Sequence, residues 1–299
     1  PVLQMIKDDW KEPKTDAERD VMIQRARIAR SFIKFCYAAV FLITLTFIFL
    51  QTLGMPLRHT TKETETFLFS TYYVIDVSRR PYFEIIYILQ VISVLAIVYS
   101  YIGVDIFFAM LVLHISAQLE NLRMRLANIK TSNCFDRVLK DTVMRHTRLI
   151  SAVDVIENAY TLLLLILLFY FGVYNCLSIF EILTIINGKA DFPASVLYFQ
   201  IGCYISVFIQ TSFYSIVGQL LATQSELVYE AVYDCEWLNL KPKDAKNLIL
   251  IMMRSRKPLY VTAGKLFPIT MLTFCNVLKI SFSYMSFLLT KNLDTSGHA

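Results

Sequence analysis

The side chains that most often do chemistry in proteins are present here, but they do not form a reactive pattern. The four histidines are scattered along the chain, at His59, His114, His146 and His298. The six cysteines include no Cys-x-x-Cys pair: Cys36, Cys134, Cys176, Cys203, Cys235 and Cys275. The sequence contains no Gly-x-Ser-x-Gly, P-loop or His-Glu-x-x-His motif. We therefore expect no enzyme activity, no metal site and no cofactor.

Apolar and aromatic residues at helical spacing are the more informative pattern. One set near the C-terminus lies at i, i+4, i+7 and i+11, which places it on one face of a helix: Ile280, Tyr284, Phe287 and Lys291. A second set recurs every four residues: Tyr229, Tyr233 and Trp237. On the residues alone, packing against neighbouring helices is the better explanation of the first set.

The composition indicates which environment must position these residues. The 299 residues are 56% hydrophobic and only 18% charged, with a mean hydropathy of +0.51. A water-soluble chain of this size is less apolar. The net charge of +5 is carried in blocks between long uncharged runs, which is typical of membrane topology and not of nucleic-acid binding.

Five apolar segments are long enough to cross a bilayer as helices, which needs about 20 residues each. We expect them at 32–55, 81–130, 136–186, 194–228 and 258–291. The second is too long for the membrane alone, and the third begins with a charged helical approach, so both should extend into water. The sequence therefore predicts an all-α, polytopic membrane bundle.

The positive charges predict the orientation of these spans. Segments 1–31, 120–148 and 229–257 carry 7, 7 and 6 Lys or Arg residues, whereas 56–80, 187–193 and 291–299 carry 4, 1 and 1. Positive residues favour the cytoplasmic side. We expect 1–31 to be a cytoplasmic approach and 229–257 a cytoplasmic segment. We expect 56–80 and 187–193 to be extracellular loops and 292–299 an extracellular tail. An outside C-terminus conflicts with a G-protein-coupled receptor.

The order of several short motifs resembles the C-terminal signature of the insect odorant receptors. Tyr229, Tyr233 and Trp237 are followed by Arg254-Ser255-Arg256-Lys257-Pro258, then Ala263-Gly264-Lys265, then Ser283-Tyr284. Other matching stretches are Asp9-Trp10, Met55-Pro56-Leu57-Arg58, Pro81-Tyr82-Phe83-Glu84 with Gln90, Asp105, and Ala117-Gln118-Leu119 with Leu122 and Leu126. The resemblance implies a seven-helix fold with the N-terminus inside and the C-terminus outside. The five spans would be the third to seventh, and the chain would be incomplete at its N-terminus.

The same resemblance implies an odorant-gated, non-selective cation channel in the plasma membrane of sensory neuron dendrites. It would be a tetramer with the family's co-receptor subunit, and the last helix would line the pore. Ile280, Tyr284, Phe287 and Lys291 then become the pore set, with Phe287 where a hydrophobic gate is expected. Lys291 departs from this expectation, because a ring of ammonium groups repels cations; the alternative is that it extends into the outer headgroups. Lys279 should face water, a partner or the protein interior.

The resemblance also implies a pocket for a small volatile ligand in the outer half of the bundle. Candidate residues are Phe47, Ile48 and Gln51 on the first span, Tyr87, Gln90, Val91 and Val94 on the second, and Tyr198, Phe199, Ile201 and Gly202 on the fourth. For any one of them, contact with lipid or helix packing is the alternative. Tyr229, Tyr233 and Trp237 are expected to anchor subunits to one another, or else to form an aromatic belt at the membrane surface.

Three other interpretations remain open. A gustatory-type receptor would use its last helix in the same way, although the sequence Ser283-Tyr284-Met285-Ser286-Phe287-Leu288 favours the odorant branch. A secondary-transporter fragment should show broken helices and an inverted repeat, which we do not find. A non-functional receptor remnant is the third. Within the odorant branch, the sequence favours a ligand-binding subunit over the co-receptor.

Overall fold

The computed structural model describes residues 2–12, 14–52, 68, 82–127, 135–186, 194–234 and 242–297. Seven α-helices and one short hairpin occur in this part of the chain. The helices are α1 (Val2–Lys11), α2 (Asp16–Thr52), α3 (Tyr82–Ala127), α4 (Phe135–Ile186), α5 (Ala194–Tyr233), α6 (Pro242–Ser255) and α7 (Met271–Gly297). The strands are β1 (Thr262–Ala263) and β2 (Phe267–Pro268), which pair antiparallel.

Five helices are long and apolar enough to span a membrane: Asp16–Phe49, Tyr82–Ala127, Arg137–Ile186, Val196–Tyr233 and Met271–Thr290. In the first, second and last of them, only 6 to 11% of the most apolar window is buried within the chain. Such exposed apolar surface would be unstable in water, whereas lipid or another subunit can cover it. The prediction of an all-α membrane bundle is confirmed.

Local sequence signals explain where several helices begin. Before α2, the Thr15 and Glu18 side chains cap each other's backbone N–H groups: Glu18 N–H donates to Thr15 Oγ1 at 3.4 Å, and Thr15 N–H donates to Glu18 Oε2 at 3.1 Å. This is a capping box. The first residue of α6 is Pro242, a position where the missing N–H costs nothing.

The chain divides into two compact units. The first comprises Pro1–Ser31, Phe107–Tyr170 and Gln210–Val277, and the second comprises Phe32–Ile106, Phe171–Ile209 and Leu278–Ala299. The core of the first unit includes a strict four-three alternation of buried residues on α3: Phe108, Val112, Ile115, Leu119, Leu122 and Leu126. This spacing places one continuous apolar stripe against α4 and α5 residues of the same core.

The start of the last helix differs from the expectation. We expected a single helix over 258–291, but α7 begins at Met271, and residues 262–268 form the hairpin. Gly264 and Lys265 have φ values of 63° and 60°, which a right-handed helix does not allow. The Gly264 N–H donates to the Thr161 carbonyl oxygen at 2.9 Å, so α4 holds the turn in place. The Thr270 hydroxyl then accepts from the Thr273 N–H at the start of α7.

Other boundaries also differ in detail from those expected. The helix α5 continues to Tyr233, past the expected end at 228, and α7 continues to Gly297, where a tail from 292 was expected. The expected segment 229–257 contains α6. The expected loops at 56–80, apart from Leu68, and at 187–193 lie outside the described residues.

Candidate ligand and pore sites

All eleven candidate ligand residues belong to the second unit. The clearest contact among them joins α2 to α5, where the rings of Phe47 and Phe199 are 5.8 Å apart and inclined by 32°. Both side chains are half-buried, as is Ile48. Gln51 lies on α2, but its side chain is outside the described part of the structure.

The candidates on α3 are more buried than those on α5. Gln90 and Val94 are buried, and Tyr87 and Val91 are half-buried. The Tyr87 ring stacks on Phe83 with centroids 6.2 Å apart. The Tyr87 hydroxyl is shielded from solvent and finds no hydrogen-bond partner among the described residues. A buried hydroxyl without a partner costs about 1–3 kcal/mol, and a bound ligand with a polar group would relieve that cost.

The remaining α5 candidates differ from one another in exposure. The side chain of Tyr198 is 74% exposed, and a Cβ added at Gly202 would have nothing within 4 Å. Ile201 is half-buried. The structure therefore brings Phe199 against α2 and leaves Tyr198, its neighbour in sequence, outside the packing of the unit.

A polar contact between α4 and α5 was missed from the sequence. Gln200 Nε2 donates to Glu181 Oε2 at 2.8 Å and lies 3.4 Å from Ser178 Oγ. Asn175, one turn earlier on α4, is fully buried, and its amide nitrogen donates to the Phe171 carbonyl. The sequence signal that could have revealed this contact was the presence of polar residues within the apolar runs of α4 and α5.

The pore candidates on α7 lie on its exposed side. Ile280, Tyr284 and Phe287 are 57%, 63% and 64% exposed. Ser281, in contrast, is buried, and its hydroxyl donates to the Gly172 carbonyl of α4 at 3.1 Å. Lys291 is on α7, although its side chain is not among those described. These three side chains therefore face away from the packing of the described part of the chain.

The described subunit-anchor candidates belong to the first unit, which also has an exposed apolar surface. Tyr229 is half-buried and Tyr233 is 59% exposed, whereas Trp237 lies outside the described residues. The more extensive surface is on α6, where three large apolar side chains are exposed: Ile249, Leu250 and Met253. A groove of about 410 Å³ runs between α4 and α6 beside them.

Polar contacts and ion pairs hold α1 and the residue that follows it against α3 and α4 in the first unit. Asp9 is 5% exposed, and its carboxylate lies 2.9 Å from His114 Nε2 and 3.3 Å from an Arg148 nitrogen. Glu12 accepts two hydrogen bonds from the Arg145 guanidinium, which hold the pKa of that carboxyl below its ordinary value. These contacts give Asp9 of the Asp9-Trp10 motif a structural role. Trp10 is 46% exposed, and its packing does not explain its place in the motif. Within the described residues, no group of acidic, His and Cys side chains has the arrangement of a metal site.

The chain matches the family described as 7tm Odorant receptor over residues 4–282. It is 26% identical over 227 residues to Odorant receptor Or2 of Anopheles gambiae, covering 72% of this chain and 58% of that relative. It is 26% identical over 223 residues to Odorant receptor 10 of Aedes albopictus, covering 72% of this chain and 57% of that relative. The chain thus spans somewhat over half the length of these curated relatives. The Odorant receptor coreceptor of Harpegnathos saltator is also similar, at 26% identity over 49% of this chain.

Solved structures show the same fold. The insect olfactory receptor OR5 from Machilis hrabei, in complex with eugenol, superposes with a TM-score of 0.76 and 15% identity, covering 97% of this chain and 74% of that one. A second solved structure of the insect olfactory receptor OR5 from Machilis hrabei also gives a TM-score of 0.76, at 16% identity, covering 96% of this chain and 74% of that one. These likenesses establish a multi-pass helical membrane fold, and the resemblance stated from the motifs is confirmed. Because the family match extends over nearly the whole chain, this protein belongs to the 7tm odorant receptor family.

Proposed function

We propose that this chain is the ligand-binding subunit of an odorant-gated, non-selective cation channel in the plasma membrane. The observation that carries the proposal is the orientation of α7. Its Ser281 side is fixed to α4, while Ile280, Tyr284 and Phe287 project away from the subunit. A pore shared by several subunits needs a helix that presents side chains outward in this way. When several subunits each contribute such apolar and aromatic side chains around a pore, the constriction excludes water and so closes the ion path.

The ligand site is proposed in the second unit, around Phe47, Phe199 and Tyr87. Two aromatic faces give a volatile molecule apolar contact, and the buried Tyr87 hydroxyl gives one hydrogen-bonding point. Sites for small molecules commonly combine a mostly apolar lining with few polar groups. Since the Machilis receptor of the same fold binds eugenol, an oxygenated aromatic volatile is a suitable first probe.

Assembly with a co-receptor subunit is proposed through the first unit. The exposed face of α6, together with Tyr229 and Tyr233, offers apolar and aromatic surface of the kind that carries interface energy. With the cytoplasmic orientation expected from the positive charges, this surface would lie in water unless a partner covered it. The similarity to a co-receptor over about half of this chain suits a pseudo-symmetric assembly of related subunits.

The test is whole-cell current in cells that express this receptor with a co-receptor, during application of volatiles that include eugenol. Phe199→Ala should shift the dose response at least tenfold, because it removes the ring that contacts Phe47. Tyr198→Ala is the matched control and should leave the dose response within twofold, since its side chain is exposed.

The gate is tested in the same cells with a second matched pair. Phe287→Ala should raise current in the absence of ligand or change ion selectivity, whereas Phe282→Ala, on the same helix but off the stripe, should not. If the receptor reaches the cell surface with the co-receptor and no volatile changes the current, the channel proposal fails and the remnant interpretation takes its place.

A further inference from the structure

A second stripe on α7 consists of polar residues. Each of its members comes directly before a member of the pore set: Lys279, Ser283, Ser286 and Thr290. Because successive residues of a helix are rotated by about 100°, these four side chains lie in one line beside the pore set. We call them the polar stripe. All four are exposed.

The polar stripe is on the opposite side of α7 from the contact with its own subunit. Ser281, which donates to the Gly172 carbonyl, is two residues beyond Lys279 and is therefore rotated from it by about 200°. Leu288 lies on the same packed side and is half-buried. Within the described residues nothing packs on the polar stripe, so it meets lipid, water, another subunit or a part of the protein outside the described residues.

The chemistry of the polar stripe suits water. The Ser283 hydroxyl donates to the Lys279 carbonyl at 3.0 Å, and the Thr290 hydroxyl donates to the Ser286 carbonyl at 3.0 Å. These two hydroxyl protons are thereby used within the helix, which lipid and water both allow, so the requirement for water comes from Lys279. The Lys279 ammonium has three donors, for which hydrocarbon offers no acceptor.

Contact with a second copy of α7 is a weaker explanation. Small hydroxyl residues do join membrane helices. A buried lysine, however, needs an acidic partner, and α7 contains no Asp or Glu between Met271 and Thr290. Within the described part of the chain, Lys279 forms no ion pair.

We infer that the polar stripe borders the water-filled ion path and that Lys279 determines ion specificity there, disfavouring divalent cations relative to monovalent ones. This inference rests on the proposed channel function. A fixed positive charge repels a divalent cation with twice the energy of a monovalent one at the same distance. The positive charge of Lys279 would therefore select among cations without closing the path. In a channel that also contains subunits without this lysine, the selection against divalent cations would be weaker.

The first experiment measures the permeability of Ca²⁺ relative to Na⁺ from reversal potentials of the odorant-evoked current. Lys279→Gln should raise the ratio up to about fivefold, which is the factor that one unit charge at about 4 Å in water produces, and Lys279→Glu should raise it further. Lys34→Gln removes an exposed lysine from the start of the span in α2 and should leave the ratio unchanged. An unchanged ratio in both Lys279 variants, with normal current, overturns the inference.

A second experiment needs no current. In a Cys275→Ser background, which removes the exposed thiol of α7, a charged, membrane-impermeant thiol reagent is applied to intact cells. Ser286→Cys should be labelled at least tenfold faster than Leu288→Cys on the packed side. Equal protection of both would place the polar stripe against lipid or in a protein contact and overturn the inference. Labelling at Ser286→Cys without any odorant-evoked current would instead refute odorant gating, but it would still support contact of the polar stripe with water.

Discussion

Gly218 occupies the point where α5 passes the segment that leads into α7. A Cβ added there would overlap the carbonyl oxygen of Ile269, well inside the 3.0 Å below which Cβ contacts essentially never occur. The same Cβ would lie 3.2 Å from the carbonyl carbon and from Cγ2 of Ile269. The obstacle is backbone, held by a 2.9 Å hydrogen bond from the Ile269 N–H to the Val261 carbonyl. A change of rotamer therefore cannot relieve the overlap.

We predict that Gly218→Ala destabilises the receptor by about 2 kcal/mol. Forcing extra volume into a packed interior costs about 1–3 kcal/mol, and the upper end applies because backbone must move. Alanine recovers about 0.8–1.0 kcal/mol over glycine inside a helix. At about 2–4 °C for each kcal/mol, the midpoint of thermal unfolding should fall by about 4–8 °C.

The assay is thermal unfolding of detergent-solubilised receptor, with Gly103→Ala as the matched control. Gly103 is also inside a helix, and a Cβ there would meet nothing within 4 Å, so alanine should raise the midpoint slightly or leave it unchanged. The reasoning is refuted if Gly218→Ala unfolds at or above the temperature of the control.

Two further predictions concern the first unit. Phe108→Ala should lower the free energy of unfolding by about 3–5 kcal/mol, because the ring is fully buried with two tyrosine rings 5.0 and 5.2 Å away. Phe107→Ala, at a side chain that is 38% exposed, should cost far less in the same melts, and equal losses would contradict the assigned packing. Glu12→Gln should reduce stability at pH 7, where the carboxylate pairs with Arg145. Since the folded-state pKa of Glu12 is lowered from 4.5, that contribution is present above pH 4.5 and is lost as the pH falls through the folded-state pKa. The difference between wild type and Glu12→Gln should therefore vanish in acid, and a difference that persists there would exclude this ion pair as its cause.

Much of the architecture was predictable from the order of residues. A helix in hydrocarbon must be apolar for about 20 residues, so each span appears as an uninterrupted run. The five helices of the structure that can span a membrane correspond to five such runs. The family was predictable as well, because short motifs such as Arg254-Ser255-Arg256-Lys257-Pro258 recur in a set order.

The start of α7 could not be read from the same signals. Residues 258–270 continue the apolar composition of the helix that follows, so hydropathy does not separate them. The break depends on left-handed backbone at Gly264 and Lys265 and on the hydrogen bond to Thr161, which is about one hundred residues earlier in the chain. Contacts between distant segments carry no signature in local composition.

The inward faces of the spans were the least predictable feature. In a water-soluble helix, polar residues mark the solvent side, whereas lipid-facing and protein-facing residues of a membrane helix are equally apolar. Tyr198 and Phe199 are therefore equivalent in sequence, and only the ring contact with Phe47 distinguishes them. On α7, spacing alone reveals two stripes. The bond from Ser281 to the Gly172 carbonyl decides which side of the helix is packed, because burial is set by what lies opposite a side chain and not by its own type.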